Sequence, residues 1–281
     1  MKAQRLFFLQ YGAERVSKAL SIDGGDHHLY WEPLFGALVE TADGWILLDT
    51  GMSAAALADD GVQHAYELGA VGASNYDSSW HLDPQPSREG FTWGLPGDPL
   101  TEALRVHGLT PADIALAAVS HLHVDHSGGI ATLSQSGVPV VLQRHELEFA
   151  RSGAVDESDG FYSPDWTDPT TQWRLVEGSC EIAPGVAVIS TPGHTPGHQS
   201  FRVELPETGV WLLAGDAADL AQNFLDRKAC GSYAGGAGDR RLAYRSLEAL
   251  LAEARHSHAR LIPGHDQLML NAIGHPRGGH R

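Results

Sequence analysis

Four times in this chain a short apolar run ends in a turn that carries histidine or aspartate. Ile114-Ala115-Leu116-Ala117-Ala118-Val119-Ser120 leads into His121-Leu122-His123-Val124-Asp125-His126. Val186-Ala187-Val188-Ile189-Ser190 leads into Thr191-Pro192-Gly193-His194. Val210-Trp211-Leu212-Leu213-Ala214 leads into Gly215-Asp216, and Arg260-Leu261-Ile262 into Pro263-Gly264-His265-Asp266. A short apolar run closed by a turn signal reads as a buried strand. Each turn then sits at the C-terminal end of a strand, where open α/β sheets place their ligands.

The first cluster is the densest. His121 and His123 are two residues apart, so on extended backbone both point the same way. Asp125 and His126 follow once the chain has begun to turn, because Ser127-Gly128-Gly129 opens a helix at Ile130. They aim at a second point nearby, and one loop can serve two metal ions. With the downstream residues the set is five histidines and two aspartates: His121, His123, Asp125, His126, His194, Asp216 and His265. Nitrogen and oxygen ligands without thiolate suit Zn(II), and also Fe(II), Mn(II) or Co(II). The competing reading, unrelated surface or core histidines, has to explain why matching ligands close three further strands.

A chain of 281 residues is long enough for one large α/β domain spanning 1–281 with a substantial core. Nineteen basic against 35 acidic residues give a net charge of −16, which argues against a nucleic-acid partner. Cys180 and Cys230 are too few for a disulfide framework and lie outside every ligand turn, so they read as small buried residues. The patch Leu6-Phe7-Phe8-Leu9 is too short for a signal segment or a membrane span. A cytoplasmic protein with no membrane partner is expected.

In order, Lys2 to Gln10 reads as a strand, and Val16 to Trp31, with its His27-His28 pair, as a polar loop. Leu34 to Asp49 reads as strand, Asp43-Gly44 turn and strand, the fully apolar Trp45-Ile46-Leu47-Leu48 being central. Residues 52–99 are irregular apart from Ala54 to Leu57, and carry Tyr66, Tyr76, Trp80, Phe91 and Trp93. Those aromatics suit either the wall of an apolar groove or a satellite core. A second irregular insertion, 155–171, carries Phe161, Tyr162 and Trp166 and could also border the pocket. Helices are expected at 100–107, 130–135, 144–151 and 240–255, the last with Leu242, Leu247, Leu250 and Leu251 at amphipathic spacing. Further strands are expected at 138–142, 173–176, 180–182 and 201–205, and a frayed tail at 274–281.

The motifs HLHVDH at 121–126, TPGHTPGHQS at 191–200, Gly215-Asp216 and Gly264-His265-Asp266 resemble the metallo-β-lactamase superfamily. Within it the chain looks like the quorum-quenching N-acyl-homoserine lactonases. The likeness runs from about Leu34 to Gln267 and takes in Asp49-Thr50-Gly51-Met52, Pro184 to Phe201, and Asp216 through Asn223-Phe224. It implies a four-layer αβ/βα sandwich and two divalent metal ions per chain, zinc first. By resemblance His121, His123 and His194 bind one ion, Asp125, His126 and His265 the other, and Asp216 bridges. Asp49 would orient ligands, although an aspartate there also suits a simple turn or N-cap. His198 reads as a support or packing residue, since the ligand set is full without it. A water shared by the two ions would attack the carbonyl of a small-molecule lactone, and Asp125 would carry a proton to the leaving alkoxide.

One position departs from the family. The lactonases place a tyrosine three residues after the bridging aspartate; here that position is Asp219. Either Asp219 takes that catalytic place, or Tyr233 or Tyr76 supplies the missing donor, or the substrate differs. Val124 is smaller than the aromatic often found between the ligands, which widens the pocket. The alternatives are another lactone, of γ-butyrolactone or pyridoxolactone type, or a thioester of the glyoxalase II kind. A homodimer, as in some relatives, is a further expectation.

Overall fold

The computed structural model describes residues 2–76, 82, 85–86, 90–234 and 239–281. Trp80 lies outside the described residues. The first sheet is built from β1 (Arg5–Ser17), β2 (His28–Thr41), β3 (Gly44–Leu48), β4 (Ser74–Asn75), β5 (Thr92–Gly94), β6 (Ile114–Ala118), β7 (Val140–Gln143) and β8 (Trp173–Val176). Its order is β5-β1-β2-β3-β6-β7-β8, with β4 paired to β2. The second sheet holds β9 (Cys180–Ala183), β10 (Val186–Ser190), β11 (Gln199–Leu205), β12 (Gly209–Leu213) and β13 (Arg260–Ile262), in the order β13-β12-β11-β10-β9.

Period-two alternation decides which residues meet. Leu6, Phe8, Ile46, Leu48, Leu116, Ala118 and Val141 turn one way and join Val186, Val188, Phe201, Val203, Trp211 and Leu213 in a core between the sheets. Their neighbours Phe7, Leu9, Leu47, Ala117, Val119, Val140 and Leu142 turn outward onto Leu100, Leu104, Ile130, Leu133 and Leu147 from helices. On the far side, the helix Asp239–Ser257 lays Leu247, Leu250 and Ala254 against Leu212, Val210 and Ala214. The layers are therefore helix, sheet, sheet, helix, the expected αβ/βα sandwich. Strands buried on both faces read as unbroken apolar runs, which is why these were legible.

The Asp43-Gly44 hairpin forms as expected, Thr41 pairing with Gly44, and β3 lies between β2 and β6. Three expectations need correction. β1 and β2 reach into both ends of the stretch read as a polar loop, at Val16–Ser17 and from His28 on, with the short helix Lys18–Ser21 and its link to His28 between them. The segment 52–99 holds a second helix, Asp60–Gly69, with Asp59 accepting from Gly61 N and Val62 N at its start. The tail is docked, not frayed. Leu6 N donates to His280 O (2.9 Å) and His280 N to Leu6 O (2.8 Å), while the His280 ring lies 4.6 Å from that of Trp211. Cys230 is buried, whereas Cys180 is only partly so, and both are free thiols. No helix among the described residues is long and apolar enough to cross a membrane.

Candidate metal centre

All the expected ligand turns sit at strand C-termini and converge. His121 to His126 follows β6, His194 follows β10, Asp216 follows β12 and His265 follows β13. After His123 the backbone enters a helical turn, Val124–Ser127, held by Val124 N donating to Gly160 O (2.8 Å). Thr50 ties this turn to the end of β3: its hydroxyl donates to His126 O (2.7 Å) and accepts from Gly129 N (3.0 Å). Gly128 is required by closeness, since a Cβ there would lie 2.1 Å from Ser53 N. Gly193 has φ +147° and lies against Ala243, whose N would be 2.3 Å from a Cβ.

Two ligand groups result. His121, His123, His194 and Asp216 bring their ligating atoms within 4.8 Å of one another, and so do Asp125, His126, Asp216 and His265. Asp216 belongs to both, one oxygen for each. Its Oδ2 lies 3.3 Å from His194 Nε2 and 3.8 Å from His121 Nε2. Its Oδ1 lies 3.0 Å from His126 Nε2 and 3.1 Å from His265 Nε2. Asp125 Oδ2 is 2.8 Å from His126 Nε2 and 3.5 Å from His265 Nε2.

This donor set fits divalent cations. His121 Nε2 is buried and has no hydrogen-bond partner among the described residues, although it faces the cluster. Burial holds His121, His123 and His194 below the usual histidine range, reinforced at His121 by His126 and at His123 by His194; His123 falls to about 3. Neutral imidazole is the form that ligates metal. At His126 and His265 burial pulls down, but Asp125 and Asp216 at the first and Asp216 at the second outweigh it. Burial alone would raise Asp216, and the four surrounding histidines carry it well below the usual carboxylate range.

The supports are as informative as the ligands. Asp49, in the left-handed region at φ +59°, accepts from Ser120 N (2.6 Å) and sets its other oxygen 3.2 Å from His126 Nδ1. His198 stays outside both groups: its Nε2 accepts from Asp216 N (3.1 Å) and its Nδ1 meets Thr191 Oγ1 (2.9 Å). His265 Nδ1 faces Pro33 O (3.2 Å), and His194 Nδ1 faces Ser232 Oγ (3.1 Å). Sequence reasoning missed Ser232 and Glu146. The buried Glu146 accepts from Leu122 N (3.1 Å), Thr195 Oγ1 (2.7 Å) and Gly197 N (3.0 Å), so it ties the first ligand loop to the second. Burial lifts its carboxyl to about 7 against those bonds. The only signal was a glutamate inside the otherwise half-apolar helix Arg144–Ala150.

A cavity of about 390 Å³ opens over the cluster, with His123, Asp125, His194, Asp216, Asp219 and His265 on its surface. Val62, Tyr66, Val124 and Tyr162 supply apolar wall, so both insertions reach it. Phe91 and Trp93 do not line it: Phe91 lies under Arg15, and Trp93 packs with Ala13, Trp31 and Leu82. Tyr76 is 60% exposed and lines a separate cavity. Tyr233 lines the main cavity, but its hydroxyl donates to Cys230 O (2.6 Å). The exposed His28 of the His27-His28 pair bonds to Asp26 and joins neither group.

A four-layer αβ/βα sandwich with a histidine–aspartate cluster at its strand ends defines a metal-binding α/β protein. The family model described as the metallo-beta-lactamase superfamily matches residues 35–265, and the chain belongs to that superfamily. Among relatives, an N-acyl homoserine lactonase of Bacillus cereus is 28% identical over 270 residues, 95% of this chain and 94% of that protein. A solved N-acyl homoserine lactone hydrolase, with the product N-hexanoyl-L-homoserine at its catalytic metal centre, superposes with TM-score 0.79 at 27% identity, covering 97% of each chain. A dizinc quorum-quenching lactonase, AidC, shares the fold at 18% identity and TM-score 0.61, over 95% of this chain and 89% of that one.

Proposed function

We propose that this protein hydrolyses the lactone ring of N-acyl homoserine lactones, as a quorum-quenching enzyme with two divalent ions held by its seven-residue cluster. The observation that carries the reading is Asp216, whose two oxygens serve two separate histidine groups on the cavity floor. The similarity to lactonases over nearly the whole chain supports the same substrate class. His121, His123 and His194 would hold one ion, Asp125, His126 and His265 the other, and Asp216 both. Zinc is the first candidate for such a nitrogen and oxygen set. Such ions supply a water nucleophile at neutral pH and Lewis-acid polarisation of the carbonyl.

The chain's own residues do the rest. Asp125 lines the cavity and has one oxygen, Oδ2, turned toward His126 and His265. Its other oxygen can carry a proton to the ring oxygen as that oxygen leaves. Asp49 and His198 fix the His126 ring and the Asp216 backbone, so the floor stays in register with the substrate. Val62, Tyr66, Val124 and Tyr162 offer an apolar wall to an acyl chain. Asp219 is buried, and burial followed by Asp216 raises its carboxyl well above the usual range. In its protonated form it donates a hydrogen bond, the task a tyrosine performs in the lactonases. A cytoplasmic location suits two cysteines that remain free thiols.

The test is proton release on adding hexanoyl- and dodecanoyl-homoserine lactone to metal-loaded protein, beside an Asp216→Asn control. The reading expects release that the variant abolishes. Absence of release from fully loaded wild type overturns the substrate.

A further inference from the structure

Glu14 of β1 and Glu32 of β2 stand directly opposite each other in the antiparallel ladder. Both are buried, at 7% and 1% exposure, and both line the active-site cavity. Like charges at such a cross-strand pair oppose folding, and burial sharpens the cost. Neither forms an ion pair with a lysine or arginine among the described residues; the guanidinium of Arg15 instead lies over Phe91 (4.9 Å) and Trp31 (5.7 Å). The groups that do contact them are hydroxyls. Tyr66 donates to Glu14 Oε2, and Tyr30 and Ser21 donate to Glu32 Oε1, the last at 2.6 Å. Glu14 Oε1 and Glu32 Oε2 receive no hydrogen bond from any described residue.

Asp219 adds an independent observation. It lines the same cavity at 5% exposure, and its Oδ1 is buried with no hydrogen-bond partner among the described residues. Three carboxyl groups therefore face one space with acceptor oxygens unused.

A third metal ion is not what they fit. Glu14, Glu32 and His265 could offer ligand atoms within 4.8 Å of one another. Both ring nitrogens of His265 are already engaged, Nε2 with Asp216 Oδ1 (3.1 Å) and Nδ1 with Pro33 O (3.2 Å). What is left is a wall of carboxyl oxygens beside the metal cluster. His265 belongs to both groups, so the wall adjoins the metal cluster.

We propose that Glu14, Glu32 and Asp219 form a subsite for a positively charged nitrogen, and that lactones bearing an ammonium group beside the carbonyl are a further substrate class. This rests on the hydrolase reading above. The ammonium supplies three donors to the unused oxygens. The bond chemistry is ordinary hydrolysis. The water oxygen bonds to the carbonyl carbon, the ring C–O bond breaks, the ring oxygen leaves as a hydroxyl with one water proton, and the new acid releases the other.

Two pairs of probes test it: α-amino-γ-butyrolactam against γ-butyrolactam for binding by calorimetry, and homoserine lactone against γ-butyrolactone for turnover. The subsite predicts that wild type favours the aminated member of each pair by about tenfold or more, the worth of a charged hydrogen bond. Glu32→Gln brings both ratios to within about twofold, with an unaltered number of metal ions per chain. Glu14→Gln serves the same purpose should Glu32→Gln fail to fold. Lactone turnover with no preference for the aminated probes overturns the subsite and leaves the hydrolase reading standing. Preference in binding without turnover of any lactone sustains the subsite and overturns the hydrolase. A lower metal count in Glu32→Gln shows a metal site instead.

Discussion

His126 Nε2 and His265 Nε2 lie 3.1 Å apart, although 139 residues separate them in the chain. Two ring nitrogens aimed at one point, with Asp216 Oδ1 within 3.1 Å of each, repel one another unless a cation lies between them. Distant parts of the sequence have been brought together to hold positive charge.

Asp49 controls this geometry without belonging to it. It fixes His126 Nδ1 at 3.2 Å and Ser120 N at 2.6 Å. Replacing Asp49 with Ala should weaken metal affinity by about 10–100-fold, as loss of a ligand's hydrogen-bond partner does elsewhere. Competition with a chelator measures this, and excess metal should restore part of the activity. An unaltered dissociation constant would show that Asp49 is only a turn residue.

Glu146 predicts a stability effect. Glu146→Ala strands the donors of Leu122, Thr195 and Gly197 in a buried setting. A buried unsatisfied group costs about 1–3 kcal/mol, so a loss of several kcal/mol is expected in urea unfolding. A loss below about 1 kcal/mol would mean that water replaces the carboxylate.

Asp165 makes a pH prediction away from the metals. Burial lifts its carboxyl from 3.8 to about 7 despite a bond to Ser53, and its Oδ2 has no partner among the described residues. The folded value lies above the unfolded one, so its contribution to stability is complete below about pH 4 and is lost as pH rises through 7. Asp165→Asn avoids that loss. It should be more stable than wild type at pH 8, by at most roughly 4 kcal/mol, and no more stable at pH 4. Unfolding curves at the two pH values decide it; a gain that is equal at both would exclude ionisation as the cause.

The docked tail should matter as well. Removing residues 274–281 breaks both Leu6–His280 bonds and that from Thr208 N to Arg281 O, and uncovers Trp211. A melting temperature lower by at least about 5 °C is expected by calorimetry. An unshifted melting point would show that the tail rests on the sheet without stabilising it.

These contrasts explain what could be read from the chain beforehand. The ligands were legible because each closes an apolar run, and an apolar run marks a strand buried on both faces. Glu14 and Glu32 were not, because the expected strands stopped at Gln10 and resumed at Leu34; only the register of β1 against β2 sets them opposite each other. Glu146 was hidden in a short helix, its partners 24 to 51 residues away. The helix Asp60–Gly69 begins and ends in glycine-bearing sequence, which lowers helix propensity, so the Asp59 cap and the spacing of Val62 and Tyr66 were its only marks. The tail carries two histidines among glycines, and its docking on Leu6, Phe8, Thr208 and Trp211 leaves no periodic mark in its own sequence.

The central claim is a two-ion centre bridged by Asp216, and metal counting by plasma mass spectrometry tests it most directly. Protein stripped, reloaded with zinc and desalted should carry two ions per chain, and Asp216→Asn fewer than one. A wild type that saturates at one ion, or an Asp216→Asn variant that keeps two, would contradict it.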